Sequence, residues 1–68
     1  MAKVYMAHQQ RVIEEYKELN DRLIKLTHFI FENAGFMDLP DAERERLTKQ
    51  HRVMCEYSGI LQERILAF

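Results

Sequence analysis

The chain has 68 residues, enough for one small domain whose hydrophobic core is marginal in size. Its formal net charge of −1 and isoelectric point near 6.3 leave no positive excess to attract a phosphate backbone. An apolar share of 47% argues against a disordered chain. No apolar run approaches the roughly 20 residues that cross a bilayer, and the first ten residues lack a signal peptide. We therefore expect a soluble protein without a membrane partner.

Apolar residues recur every three or four positions in the first half of the chain, which predicts a helix over about residues 5–33. The interval alternates between four and three, as on a helix that packs lengthwise against another helix. The residues of this seam are Val12, Tyr16, Leu19, Leu23, Leu26 and Ile30.

A short turn is predicted after this helix, so the two helices that it joins should be antiparallel neighbours. Gly35 is expected to take the left-handed conformation just past the helix, with Phe36 folded back on Phe31. Pro40 suits the first turn of the second helix, and Asp38 is a candidate cap for it.

The second helix is predicted over about residues 41–66, because apolar residues again fall at intervals of seven. Gln50 or His51 stands where an apolar residue is expected, and Ser58 and Gly59 interrupt the middle of the helix. Gly59 is either simply tolerated or lets another backbone approach closely. The apolar residues of this seam are Leu47, Met54, Tyr57, Leu61, Ile65 and Phe68.

Together these elements predict an all-α fold, a single helical hairpin domain over residues 1–68 with its turn at 34–40. Two helices share only one face, yet further apolar side chains lie beside each seam. Burying half a dozen of them at about 25 cal/mol per Å² would contribute several kcal/mol to self-association. A homo-oligomeric bundle is therefore expected, most economically a dimeric four-helix bundle. The predicted oligomer interface comprises Val12, Ile13, Tyr16, Leu19, Leu23, Ile24, Leu26, Ile30, Leu47, Met54, Tyr57, Leu61 and Ile65, beside the additional apolar residues Phe31, Val53 and Ile60.

No residue pattern predicts catalysis, a metal site or a cofactor. Cys55 is the single cysteine, has no CxxC partner, and is expected to be a small buried hydrophobe in a reducing compartment. His8, His28 and His51 are not expected to converge within one chain or to bind a metal. An acid–base pair needs a pocket that a two-helix hairpin lacks, so we do not expect an enzyme.

Tyr16 and Lys17 form a possible ligand site. Tyr16 lies in the seam, where packing with its hydroxyl at the rim is the default interpretation. Its ring could instead stack on a ligand ring or a partner side chain, with Lys17 beside it.

Four basic residues mark the start of the second helix, but three glutamates interrupt them. A helix-turn-helix would also need a third helix, for which no residues remain. Both observations disfavour nucleic acid as a partner, and a small DNA-binding regulator remains the third hypothesis. The basic residues are Arg44, Arg46, Lys49 and Arg52.

The order of residues resembles that of very small accessory proteins of tailed phages. From Arg11 to Ile30 the chain follows R-V-x-x-E-x-x-E-L-x-x-x-[IL]-x-K-L-x-x-F-I. After the L-P at Leu39, it follows Q-x-x-x-M-x-x-Y-x-x-I-L-x-x-R-I from Gln50 to Ile65. The resemblance includes the lambdoid early-region helical protein encoded between the exonuclease and excisionase genes.

This resemblance implies an all-helical, non-enzymatic early protein in the cytoplasm of a bacterial host. For the lambdoid members it implies influence on the choice between lysis and lysogeny. Together with the surplus apolar side chains, the resemblance leads to the first hypothesis, which is modulation of host physiology or of that choice by protein–protein interaction with an unknown host or phage protein.

The first helix also resembles phage sponge proteins that sequester cyclic nucleotides from bacterial defence systems and are oligomeric helical hairpins. Their I-x-G-Y-R-x-L-[ST] segment is followed by spaced I, L and I-K. In this chain Glu15 and Phe31 replace the glycine and the lysine of that pattern. The resemblance implies that Tyr16 stacks on a base, which makes a cyclic-oligonucleotide sponge the alternative function. The matching residues are Ile13, Tyr16, Lys17, Leu19, Ile24, Leu26 and Ile30.

Overall fold

The structure, a computed structural model, describes residues 4–68 as an antiparallel pair of long helices. Helix α1 spans Ala7–Glu32, a 3-10 turn spans Ala34–Phe36, and helix α2 spans Asp41–Leu66. The predicted all-helical hairpin is confirmed, and it forms a rod of 49 × 18 × 15 Å. Residues 1–3 of the predicted domain lie outside the described residues.

The start of α1 is closed by a side chain from its own first turn. The side-chain oxygen of Gln9 accepts a hydrogen bond from the backbone N–H of Met6 at 2.9 Å. This bond satisfies one of the donors that a helix start leaves free. From there α1 runs without glycine or proline, so nothing in its sequence interrupts the ladder of backbone hydrogen bonds.

The turn after α1 differs from the prediction, which is wrong on two points. No described glycine has a positive φ, and Phe36 packs edge-to-face on Phe29, with ring centroids 6.1 Å apart, rather than on Phe31. The cause is Asn33, which is extended and whose side-chain oxygen accepts the N–H of Gly35 at 2.7 Å. This local bond ends α1 and begins the 3-10 turn, so a left-handed residue is not needed.

Helix α2 has the predicted bounds, 41–66, but Pro40 and Asp38 have other roles at its start than predicted. Pro40 is the N-terminal cap rather than a residue of the first turn, and its carbonyl accepts the N–H groups of Glu43 and Arg44 at 3.0 and 3.1 Å. Asp38 does not act as the cap, because no side chain bonds to the helix start. The acidic residues Asp41 and Glu43 complement the positive end of the helix dipole instead.

The seam between the helices follows the four-three spacing, with one correction in α2. Ser58 is 8% exposed whereas its neighbour Tyr57 is 40% exposed, so the placement of Tyr57 in this seam is wrong. Ser58 keeps the spacing between Met54 and Leu61, and its small side chain lets the helices approach closely. The α2 residues that are buried or half-buried along this line are Leu47, His51, Met54, Ser58, Leu61, Ile65 and Phe68.

The core of the described chain is thin. Among residues 4–68 the only buried apolar residues are Val12, which is 7% exposed, and Leu61, which is 0% exposed. The open end of the hairpin is covered by the rings of Tyr5 and Phe68, whose centroids lie 6.0 Å apart. The accessible surface is 5474 Å². A compact protein of this mass would expose about 4,500 Å².

Two apolar strips stay outside this core, and they lie on opposite faces of the hairpin. The α1 strip contains Ile24 and Phe31, and Phe31 stands beside His51 with ring centroids 5.8 Å apart. The α2 strip, with Val53 and Ile60 as its exposed aliphatic residues, lies on the other side of α2 from that contact. One flat partner therefore cannot cover both strips at once.

Neither helix in residues 4–68 combines the length and apolar character that a membrane span requires.

Replacing Gly59 by alanine is expected to raise the free energy of unfolding by about 0.5–1 kcal/mol. A Cβ added at Gly59 would meet no atom within 4 Å, so only the gain in helix propensity remains. Chemical denaturation at one fixed protein concentration measures this, with Glu56→Gly as the reciprocal control that should lose stability. A loss of stability in Gly59→Ala would contradict this and would indicate that the backbone of another helix packs against Gly59.

Candidate functional site

An open cleft lies between the two helices, near the middle of the rod. We call it the inter-helix cleft; its volume is about 380 Å³. Its lining combines aliphatic side chains with polar ones, which suits a ligand that has both a ring and hydrogen-bonding groups. The residues that line it are Asn20, Leu23, Ile24, Thr27, His28, His51 and Cys55.

A chain of polar contacts crosses this cleft from α1 to α2. The hydroxyl of Thr27 donates to the carbonyl of Leu23 at 2.8 Å, so it accepts from Nε2 of His51, also at 2.8 Å. We infer that His51 is the Nε2–H tautomer, because the hydroxyl has only one proton to give. Nδ1 then faces Sγ of Cys55 at 3.9 Å as an acceptor.

Cys55 is exposed, so the prediction that it is buried is wrong. It follows His51 by one turn, on the side of α2 that turns away from the seam. Its thiol therefore borders the cleft instead of filling the core.

The histidines are also placed differently from the prediction. His28 and His51 line the same cleft, although they were expected not to converge, and Nδ1 of His28 lies 2.6 Å from Oε2 of Glu32. The four-residue spacings of His28 with Glu32 and of His51 with Cys55 were the sequence signal for both contacts. His8 is exposed. Within residues 4–68 no three His, Cys, Asp or Glu residues are grouped closely enough to hold a metal ion.

A second open cleft lies beside the turn, along the first half of α2. We call it the basic groove; its volume is about 680 Å³. Thr48 and Arg52 of the groove lie on the same side of α2 as His51 and Cys55, so the groove and the inter-helix cleft are neighbours. The residues that line the groove are Phe36, Asp41, Arg44, Glu45, Thr48, Lys49 and Arg52.

The cations of the basic groove have spare hydrogen-bonding capacity. Arg44 pairs with Asp41 through Nη2, while its Nη1 has only the sulfur of Met37, a weak acceptor, at 3.8 Å. Nε of Arg44 is buried without a partner. Lys49 and Arg52 are exposed, and neither lies within ion-pair distance of a carboxylate in the described part of the chain.

The ligand site predicted from sequence does not coincide with either cleft. Tyr16 is half-buried in the seam and Lys17 is exposed, and neither residue lines the inter-helix cleft or the basic groove. In the sequence, Arg44, Lys49 and Arg52 are visible only as basic residues interrupted by glutamates. The position of the Phe36 ring beside them depends on the fold of the turn, which the sequence pattern does not give.

Comparison with known proteins gives two matches. The profile of the Sequestin family matches residues 6–67. The chain is also 36% identical over 63 residues to an uncharacterized 7.5 kDa protein from the denB–rIIB intergenic region of Enterobacteria phage T4. That alignment covers 93% of this chain and 97% of the T4 protein. No solved structure matches.

Replacing Thr27 by valine is expected to lower the free energy of unfolding by about 1 kcal/mol more than replacing Thr48 by valine. Both hydroxyls donate to the carbonyl four residues earlier at 2.8 Å, but only Thr27 also accepts from His51. The pair of variants therefore isolates the bond between the helices. Urea unfolding followed by circular dichroism measures the difference, and equal losses in the two variants would contradict the cross-helix bond.

Proposed function

The chain belongs to the Sequestin family, and from that premise we propose that it is a non-enzymatic phage accessory protein that works by stoichiometric binding. In this proposal it self-associates and sequesters a nucleotide-derived anion, such as a cyclic di- or trinucleotide, without transforming it. The expected place of action is the cytoplasm of the bacterial host.

The observation that carries this proposal is the surface that one hairpin leaves uncovered. Among the described residues its seam buries two apolar side chains, while strips on both faces and two open clefts remain in solvent. Both clefts are open to solvent, and neither encloses the water-free pocket in which many enzymes hold a reacting group. They can still hold a ligand through contacts with the residues that line them.

Three observations support a small anionic ligand as the sequestered molecule. The family is called Sequestin, a name that denotes sequestration. The first helix resembles those of cyclic-nucleotide sponges. The basic groove offers unpaired donors on Arg44, Lys49 and Arg52, and such donors are the usual partners of phosphate oxygens.

A protein partner from the host or the phage is the second candidate, and the exposed α2 strip favours it. Phe31 on the opposite strip is 70% exposed, so a partner could equally use that face. The resemblance to lambdoid early proteins extends this candidate to host physiology or the choice between lysis and lysogeny. A DNA-binding regulator has weaker support, because the described residues form two α-helices and the net charge is −1.

Cyclic di-AMP, cyclic di-GMP and cyclic trinucleotides are expected to include at least one ligand that raises the melting temperature of the protein. A ligand that binds only the folded state stabilises it by mass action. Thermal unfolding should be followed at ligand concentrations up to about 1 mM, well above the Kd of a useful sponge. Heating the complex and running the released ligand on a column should return it chemically intact.

No shift with any of these ligands would contradict the sponge and leave the protein partner as the better proposal. A ligand recovered in altered form would contradict the non-enzymatic role. Non-cyclic GMP and AMP at the same concentrations are the control for unspecific binding of charged nucleotides.

A further inference from the structure

We propose that the basic groove is the ligand site, and that it binds the phosphates of a nucleotide through Arg44, Lys49 and Arg52 while Phe36 contacts the base. This inference rests on the proposed function and deepens it, because it moves the site from Tyr16 and Lys17 to the start of α2.

The guanidinium of Arg44 is held in place but does not have acceptors for all its donors. Its side chain is 29% exposed, and Nη2 is fixed by Asp41 on the preceding turn. Nε is buried without an acceptor, and Nη1 has only a thioether sulfur. A guanidinium has five donors in a fixed fork, and a phosphate oxygen is a far better acceptor than a thioether.

Lys49 and Arg52 are the other two cations of the basic groove. They are three residues apart on one helix, so their side chains leave the same face and can reach one anion together. The ion pairs among the described residues hold Lys25, His28, Arg44 and Arg46, and neither Lys49 nor Arg52 is among them. These two cations are therefore available without the breaking of an existing pair.

The groove has three separate cationic side chains, so an anion with more than one phosphate can contact more than one of them. These three cations face two carboxylates, those of Asp41 and Glu45, which leaves a formal charge of +1. Asp41 is engaged by Arg44, so Glu45 is the carboxylate that a ligand must avoid. Two phosphates can divide between Arg44 and the pair formed by Lys49 and Arg52.

Phe36 supplies the aromatic wall that distinguishes a nucleotide from a simple polyphosphate. Its ring is half-buried and is held edge-to-face by Phe29, so it borders the groove in a fixed orientation. A base can stack on an aromatic ring that is already ordered at little entropic cost.

The test measures the affinity of the full chain for the cyclic oligonucleotide that stabilises it most, by isothermal titration calorimetry. Lys49→Gln and Arg52→Gln are each expected to weaken binding about tenfold, since each removes a charge-assisted hydrogen bond. Lys17→Gln is the matched control, because it makes the same change in net charge at the site predicted from sequence. Inorganic pyrophosphate is the second probe and should bind more weakly than the nucleotide.

The results distinguish a failure of the proposed binding site from a failure of the proposed sponge function. Loss of affinity in the two groove variants, with Lys17→Gln unchanged, supports the proposal. Wild-type binding that both groove variants retain overturns the groove and leaves the sponge standing, and loss in Lys17→Gln alone returns the site to Tyr16 and Lys17. A wild-type chain that binds no cyclic oligonucleotide overturns the sponge and the groove together. Circular dichroism of each variant checks that the helices are intact.

Discussion

Two helices that lie side by side share a single face, and this constraint governs the whole molecule. The four-three spacing of apolar residues commits one face of each helix to the shared seam, and within residues 4–68 Val12 and Leu61 are the apolar residues that this seam buries. Folding of a small domain costs conformational entropy, which the burial of apolar surface must offset. A core of this size contributes little of that free energy. The remaining apolar side chains must find partners outside the chain or stay in water.

The helices could be predicted from sequence because they depend on local periodicity, which is continuous in α1 and strong enough in α2 to persist through the polar and small residues that interrupt it. The turn could not, because a single side-chain bond from Asn33 to the N–H of Gly35 chose a 3-10 turn over a left-handed ending. Tyr57 was misplaced because the sequence favours a large apolar residue in a seam, whereas close packing selected Ser58. The basic groove escaped prediction because it requires Phe36 to fold against Phe29, a contact between a turn and a helix.

The two faces of the hairpin differ in chemistry, and this difference gives the proposed function its physical form. One face carries the α1 strip, the inter-helix cleft and the adjacent basic groove, so it combines rings with donors. The other carries Val53 and Ile60 and is suited to a second copy, because burial of aliphatic side chains needs no precise partner. We infer that assembly and ligand binding use separate surfaces, which lets a very short chain perform both.

The mass of the protein in solution, measured by sedimentation equilibrium across a dilution series, tests most directly whether the chain self-associates. A homo-oligomer should have at least twice the chain mass of 8.2 kDa at the higher concentrations and should dissociate toward that value on dilution. A single species of 8.2 kDa at every concentration would mean that the exposed strips tolerate water, and self-association would have to be abandoned.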